Sequence, residues 1–224
     1  LRLAEIYEAQ LEKLEQSVEC YERVLSYKPS SLETLAALER LHARLADWEA
    51  LLAVYSARLD LIWDEEDKKA LYLDICQLIR DELDRPEDAI EYYQEYLVLD
   101  EQNTDVIEEL EGLYAQFERW DDLISLYRRR LAMAKLPGDR IDVLMQMASV
   151  HRQHLDDTTQ AYASYASILT IEPEHGAAVD AMVTLLQDRD HTAWSALVPR
   201  LADTLQPWFA KHGDWEREIS VLKA

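Results

Sequence analysis

The sequence predicts an all-α chain, a solenoid built from tandem antiparallel helix hairpins. Three observations lead there. The stretch Trp120-Asp-Asp-Leu-Ile-Ser-Leu-Tyr127 has an earlier counterpart in Trp48-Glu-Ala-Leu-Leu-Ala-Val-Tyr55, and a shortened version beginning at Trp215 closes the sequence. A period of about 72 residues marks a repeat array. Each period divides again, because the steps from Tyr21 to Tyr55 and from Tyr55 to Tyr93 are roughly 34 and 38 positions. Inside each step the apolar residues recur at three and four, the spacing of one helix face. The composition agrees: Gly is only 4 and Pro 6 of 224 residues, and no strand-like alternation occurs.

The repeat extends well beyond the tryptophans. At the same long spacing bulky positions stay bulky (Tyr21, Tyr93, Tyr165; Leu25, Leu97, Leu169; Leu41, Leu113, Leu185) and small positions stay small (Ala4, Cys76, Ala148). Each half-period is thus two amphipathic helices and two turns. Such a hairpin cannot bury its apolar face alone, so neighbours stack. The expected hairpins are 1–29, 30–63, 64–100, 101–136, 137–173, 174–198 and a truncated 199–224, about 14 helices in a single array.

In chain order, Pro29-Ser-Ser31 ends the first hairpin and caps a helix over 31–45. Asp47-Trp48 opens its partner, whose Trp48, Leu51, Leu52, Tyr55 and Leu59 share a face. Trp63-Asp-Glu-Glu-Asp67 is a longer connection whose acids favour the N-terminus of a helix over 66–83. Pro86 suits the first turn of a helix over 85–99. Residues 103–134 form the most regular unit, with Gly112 inside a helix at a cost of about 1 kcal/mol against alanine; close approach of a neighbour or ligand would justify it. Lys135-Leu-Pro-Gly-Asp139 is the second long connection, before helices at 140–155 and 157–171. After residue 187 the register fails, and Pro199 divides a short helix over 190–198 from one over 199–212.

The units resemble tetratricopeptide repeats. That family packs a small residue of the first helix against a small residue opening the second, with an aromatic four residues on and a proline ending the unit. Here the matching positions are Ala4, Ser17, Tyr21 and Pro29, then Cys76, Ala89, Tyr93 and Glu101, then Ala148, Ala161, Tyr165 and Pro173. The alternate units depart, with Glu39 and Glu111 at the first small position and Leu51 and Leu123 at the second. The resemblance implies a right-handed superhelix whose first helices line a concave face. Beginning at Leu1 and stopping within a helical pattern at Ala224, the sequence reads as part of a longer array.

Recurrence assigns Trp48, Trp120, Trp215, Tyr21, Tyr55, Tyr93, Tyr127 and Tyr165 to the structural core. Truncating a buried tryptophan there should cost about 3–5 kcal/mol. Cys76, at a small core position, reads as a buried side chain rather than a reactive thiol.

Net charge is −22, from 23 basic and 45 acidic residues. This opposes nucleic acid and anionic membrane as partners. No apolar run reaches the roughly 18 residues that a membrane span needs. The acids fit either a solvated convex face or a surface for a basic partner. Catalytic and metal chemistry find no constellation. His151-x-x-His154 supplies two rings with Asp156 and Asp157 beyond, whereas catalytic zinc needs three protein ligands. His151 occupies a packing position in the repeat. No nucleophile elbow, phosphate loop or Cys-x-x-Cys is present. No catalytic residue, metal or cofactor is therefore assigned.

The resemblance places Ala36, Arg40 and Arg44, then Leu73, Gln77 and Arg80, then Glu108, Gly112 and Gln116, then Met145, Ser149 and Arg152 on the concave face. Arg40, Arg44, Arg80, Arg152, Gln77, Gln116 and Gly112 form a candidate groove for a protein or peptide carrying acidic groups, held by the multi-donor arginine fork. Against it stands internal pairing of the arginines with Glu5, Glu8, Glu108 or Asp81. The family's carboxylate clamp is not supported, because its positions hold residues such as Glu5, Ala36 and Gln77. The expected function is a non-enzymatic protein-interaction scaffold. The alternative is a structural or regulatory segment of a larger protein, packed on its own domains or on copies of itself.

Overall fold

The computed structural model describes residues 2–11, 13–187 and 194–214. Trp215 and the end of the last expected hairpin lie outside them, as do residues 190–193 of the expected short helix. Among the described residues there are twelve α-helices and one 3-10 turn, with no strand. The helices alternate as first and second members of antiparallel pairs: α1 (Arg2–Ala9) with α2 (Leu14–Tyr27), α3 (Leu32–Leu45) with α4 (Trp48–Leu59), and α5 (Glu65–Asp81) with α6 (Ala89–Leu99). There follow α7 (Thr104–Gln116), α8 (Trp120–Met133), α9 (Pro137–Gln153) with α10 (Thr158–Ile171), and α11 (Gly176–Gln187) with α12 (Trp194–His212). The chain forms two compact units, Leu1–Leu113 and Tyr114–Ala224.

In the first unit, Ala4, Val18, Tyr21, Leu35, Leu38 and Leu41 make a continuous core with Val54. The small residues of the first and second helices face one another in the core. Ala4 and Ser17 are fully buried, and the Ser17 hydroxyl donates to the Ala4 carbonyl at 2.9 Å. Cys76 faces Ala89 in the same way, its Sγ 3.7 Å from the Ala89 carbonyl oxygen. Burial pushes the Cys76 thiol up to about 12, so at neutral pH it is an inert small side chain. In the second unit, Ala148 and Ala161 are likewise completely buried.

Side-chain caps fix the helix starts. Ser31 accepts from the Thr34 amide, Asp47 from Ala50, Asp64 from Glu66 and Asp67, Asn103 from Val106, and Asp157 from Gln160. Each satisfies an amide that has no partner within its helix. Two starts differ from expectation. Helix α9 begins at Pro137 rather than near residue 140, because proline at a first position gives up an N–H that needs no partner there. The segment expected as one helix over 85–99 opens with a 3-10 turn, Pro86–Asp88.

The break expected at Pro199 is absent. Helix α12 runs through both Pro199 and Pro207. An interior proline costs about 3 kcal/mol. Against that, Leu197, Leu201, Leu205 and Phe209 recur at every fourth position, all 3% exposed or less, and pack on the α10–α11 core. Burying each contributes about 1.5–3 kcal/mol, so the apolar stripe wins.

The turns that follow α3, α5, α7 and α9 share an unusual backbone. Ala46, Asp84, Glu118 and Asp156 have φ of 53°, 52°, 54° and 50°, the left-handed region, and none is glycine. The repeat relates Ala46 to Glu118 and Asp84 to Asp156. Ala46 and Glu118 have no short polar side chain to offset the strain of about 1–2 kcal/mol. Ala46→Gly and Glu118→Gly are therefore each expected to stabilise the chain by roughly 0.5–1 kcal/mol after glycine's own entropy cost. Urea denaturation curves read this directly; a lowered midpoint would contradict it.

Candidate functional site

Helical periodicity puts the candidate groove residues outside the core. Arg40, Arg44, Gln77, Gly112, Gln116 and Arg152 are exposed and Arg80 is half-buried. Of the two readings that the sequence leaves open, free forks or internal pairing, Arg40, Arg44 and Arg80 follow the second. Arg40 donates from Nε and Nη2 to both oxygens of Glu8, each at 2.9 Å, and Arg44 lies 3.8 Å from the same carboxylate. The Glu8 hydrogen bond leads the shift of the Arg40 guanidinium above its ordinary range. Arg80 donates from Nη1 to Glu109 at 2.5 Å and to the Tyr93 hydroxyl at 3.4 Å, with Nε 3.7 Å from Asp81. Arg152 is hydrogen-bonded to Tyr165 and has no carboxylate partner among the described residues.

One pocket in the first unit lies on this face, with a volume of about 310 Å³. Helix α5 supplies Leu73, Gln77, Arg80 and Asp81, and α6 supplies Tyr93. Asn103, Asp105, Val106 and Glu109 close it from the start of α7. Three of the residues that the resemblance places on the groove, Leu73, Gln77 and Arg80, thus line one cavity. Burial pushes the Tyr93 phenol up to about 12, so it stays a neutral wall. Asn103 is spent structurally: its amide donates to the Tyr96 hydroxyl at 2.9 Å while its oxygen caps α7. Sequence reasoning missed Asn103, Asp105 and Glu109. The asparagine cap was the available signal, since it fixes where α7 starts and hence which face Asp105 and Glu109 share.

Gly112 is exposed, and a Cβ built there meets nothing within 4 Å. Among the described residues, no neighbouring helix makes the close approach that would require a glycine there. Gly112→Ala should then stabilise the helix by about 1 kcal/mol, measured by thermal or urea unfolding.

The recurrent aromatics divide. Tyr21, Tyr93, Tyr127 and Tyr165 are buried, whereas Trp48, Trp120 and Tyr55 are half-buried, short of the core placement that recurrence predicts. Both tryptophans stand at the first position of their helices, at the edge of the packed layer. The Trp120 ring stacks on His154 at 3.7 Å between centroids. His151 instead is buried, and its Nδ1 has no hydrogen-bond partner. The two histidine rings therefore do not converge on one ligand position.

Burial depresses the pKa of His151, with opposing help from Asp157 and Asp121 and a further lowering from Arg128. Folding thus prefers the neutral ring. The stability this contributes is complete above the unfolded value near 6.5 and is lost as pH falls through the lower folded value. His151→Ile, the residue at the matching position 79, should show a smaller loss of stability between pH 7 and pH 5 than the unmodified chain. Parallel pH profiles would refute the assignment.

Sequence models described as tetratricopeptide repeat match residues 1–31 and 106–141. Both matches fall on consecutive helices joined by short turns. The chain is a tetratricopeptide-like helical repeat protein. Among solved structures, it is similar to YrrB, titled a TPR protein with an unusual peptide-binding site, at 16% identity over 80% of this chain and 88% of that one, with a TM-score of 0.37. It is also similar to a thermophilic TPR protein of Thermus thermophilus, at 18% identity over 80% and 92%, with a TM-score of 0.32. The C-terminal part of a TPR repeat-containing protein from Cytophaga hutchinsonii matches at 13% identity over 95% and 82%, with a TM-score of 0.41. No curated protein matches. At these TM-scores no residue role is carried across.

Proposed function

We propose that this tetratricopeptide-like protein is a non-enzymatic protein-interaction scaffold, and that the exposed face of α5 and α7 accepts an extended peptide segment. The observation that carries the reading is the pocket of about 310 Å³ in which Leu73 and Gln77, both solvent-exposed, stand beside buried Tyr93 and Val106. An apolar wall with a few polar groups is the form a side-chain pocket takes. Leu73, 40% exposed, offers a partner apolar surface at this pocket.

The arginine-fork reading narrows. Arg40, Arg44 and Arg80 already face carboxylates of this chain, so an acidic partner would have to displace Glu8 or Glu109. Arg152 alone of the four keeps that reading, on the exposed face of α9. The alternative, a segment packed on other domains or copies, draws on Trp63. That ring is 92% exposed on the α4–α5 connection, an anchor for a larger surface.

Selection of a random dodecapeptide library on the immobilised chain tests the groove. Recovered peptides should bind the double variant Leu73→Glu, Gln77→Ala about tenfold or more weakly, with helical content unchanged by circular dichroism. No recovered peptides, or peptides indifferent to both substitutions, would sink the groove and favour the packing role.

A further inference from the structure

We propose that the pocket between α5 and α7 is a receptor for a cationic side chain, arginine or lysine, of a bound peptide; this rests on the groove reading above. Charge complementarity decides it. The lining carries three acids, Asp81, Asp105 and Glu109, and one base, Arg80. Arg80 is turned toward groups of this chain: Glu109 and Tyr93 take its Nη1, and Asp81 faces its Nε. Asp105 and Gln77, by contrast, have no side-chain partner among the described residues. An entering carboxylate would meet three like charges and would have to break the Arg80–Glu109 pair before gaining a donor. An entering cation meets an unpaired carboxylate and an unused amide oxygen.

The shape fits a side chain rather than a bare ion. Leu73 offers apolar surface to an aliphatic stem, and three acids line the same pocket. Among the described residues, no group of three His, Cys, Asp or Glu could hold a metal ion. Asp105 and Glu109 stand four residues apart on α7 and so share one helix face. A guanidinium fork can address both carboxylates at once, whereas an ammonium acts as a point charge. The chain's surplus of 45 acids over 23 bases draws such a segment in from a distance.

The test is a double-mutant cycle. Peptides recovered from the random library are resynthesised with each basic residue replaced in turn by norleucine, then measured against the intact chain and Asp105→Asn. Asp105 is exposed and the substitution removes only charge. At one basic position norleucine should weaken binding to the intact chain by about tenfold. Against Asp105→Asn the same replacement should cost less than about twofold, and the difference should shrink in about 0.5 M salt as screening grows. Exchanging arginine for lysine at that position separates the fork from the point charge. Peptides that depend on Leu73 and Gln77 without needing a basic residue, or that need an acidic one, would overturn the cation receptor and leave the groove standing. Peptides indifferent to Leu73 and Gln77 would overturn both.

Discussion

The contact that the rest of the structure depends on is the close approach of two helices at paired small residues. Ala4 with Ser17, Cys76 with Ala89, and Ala148 with Ala161 are all fully buried. The spacing within each pair is the same, and it joins the first helix of a hairpin to the start of the second. A bulkier side chain there would force overpacking of about 1–3 kcal/mol. The close approach also fixes where the next turn lands: Tyr21, Tyr93 and Tyr165 follow one helical turn later and are buried. The α3–α4 pair solves the same problem differently. Leu51 occupies the second position, and Glu39 at the first turns outward to pair with Arg58. Two packing modes in alternation are the physical content of a long period made from two unequal halves.

Helices are legible because burial writes its period directly into the chain. A residue such as Leu38 or Ile75 has to be apolar if its helix is to pack, and a period of three to four exposes the pattern. Turns are less legible. The left-handed residues Ala46, Asp84, Glu118 and Asp156 carry no glycine, so the usual marker of that backbone is missing. Here the fold imposes the conformation, and the strain is offset by the packing of the helices on either side. Pro199 misleads in the opposite direction. A local signal for a break is overridden by Leu197, Leu201, Leu205 and Phe209, whose burial requires the helix to continue. Both cases show tertiary packing prevailing over a local preference of a few kcal/mol.

At the candidate site, the face is legible and the pairing is not. Spacing along one helix sets the direction in which Arg80 projects, but its partner is chosen by the register of another helix. Of the internal partners that the sequence suggests, Glu8 and Asp81 do face arginines. In place of Glu108, it is the neighbouring Glu109 that reaches Arg80. One position along a helix rotates a side chain by about 100°, enough to move a carboxylate from one partner to none. The start of α7 at its asparagine cap is what selects Glu109.

That selection contributes little to stability. The Arg80 and Glu109 side chains are about one-third and one-half exposed, and such pairs contribute about 1 kcal/mol or less. Their larger effect is on which charges stay available. In a chain with roughly two acids per base, carboxylates outnumber the cations that can engage them. Around Arg80, two acids and a phenol surround one guanidinium, while Asp105 is left over. Counting arginines on the face therefore does not by itself fix the sign of a ligand, because three of the four already face carboxylates of this chain. Under the proposed cation receptor, the groups without an internal partner, Asp105 and Gln77, decide that sign.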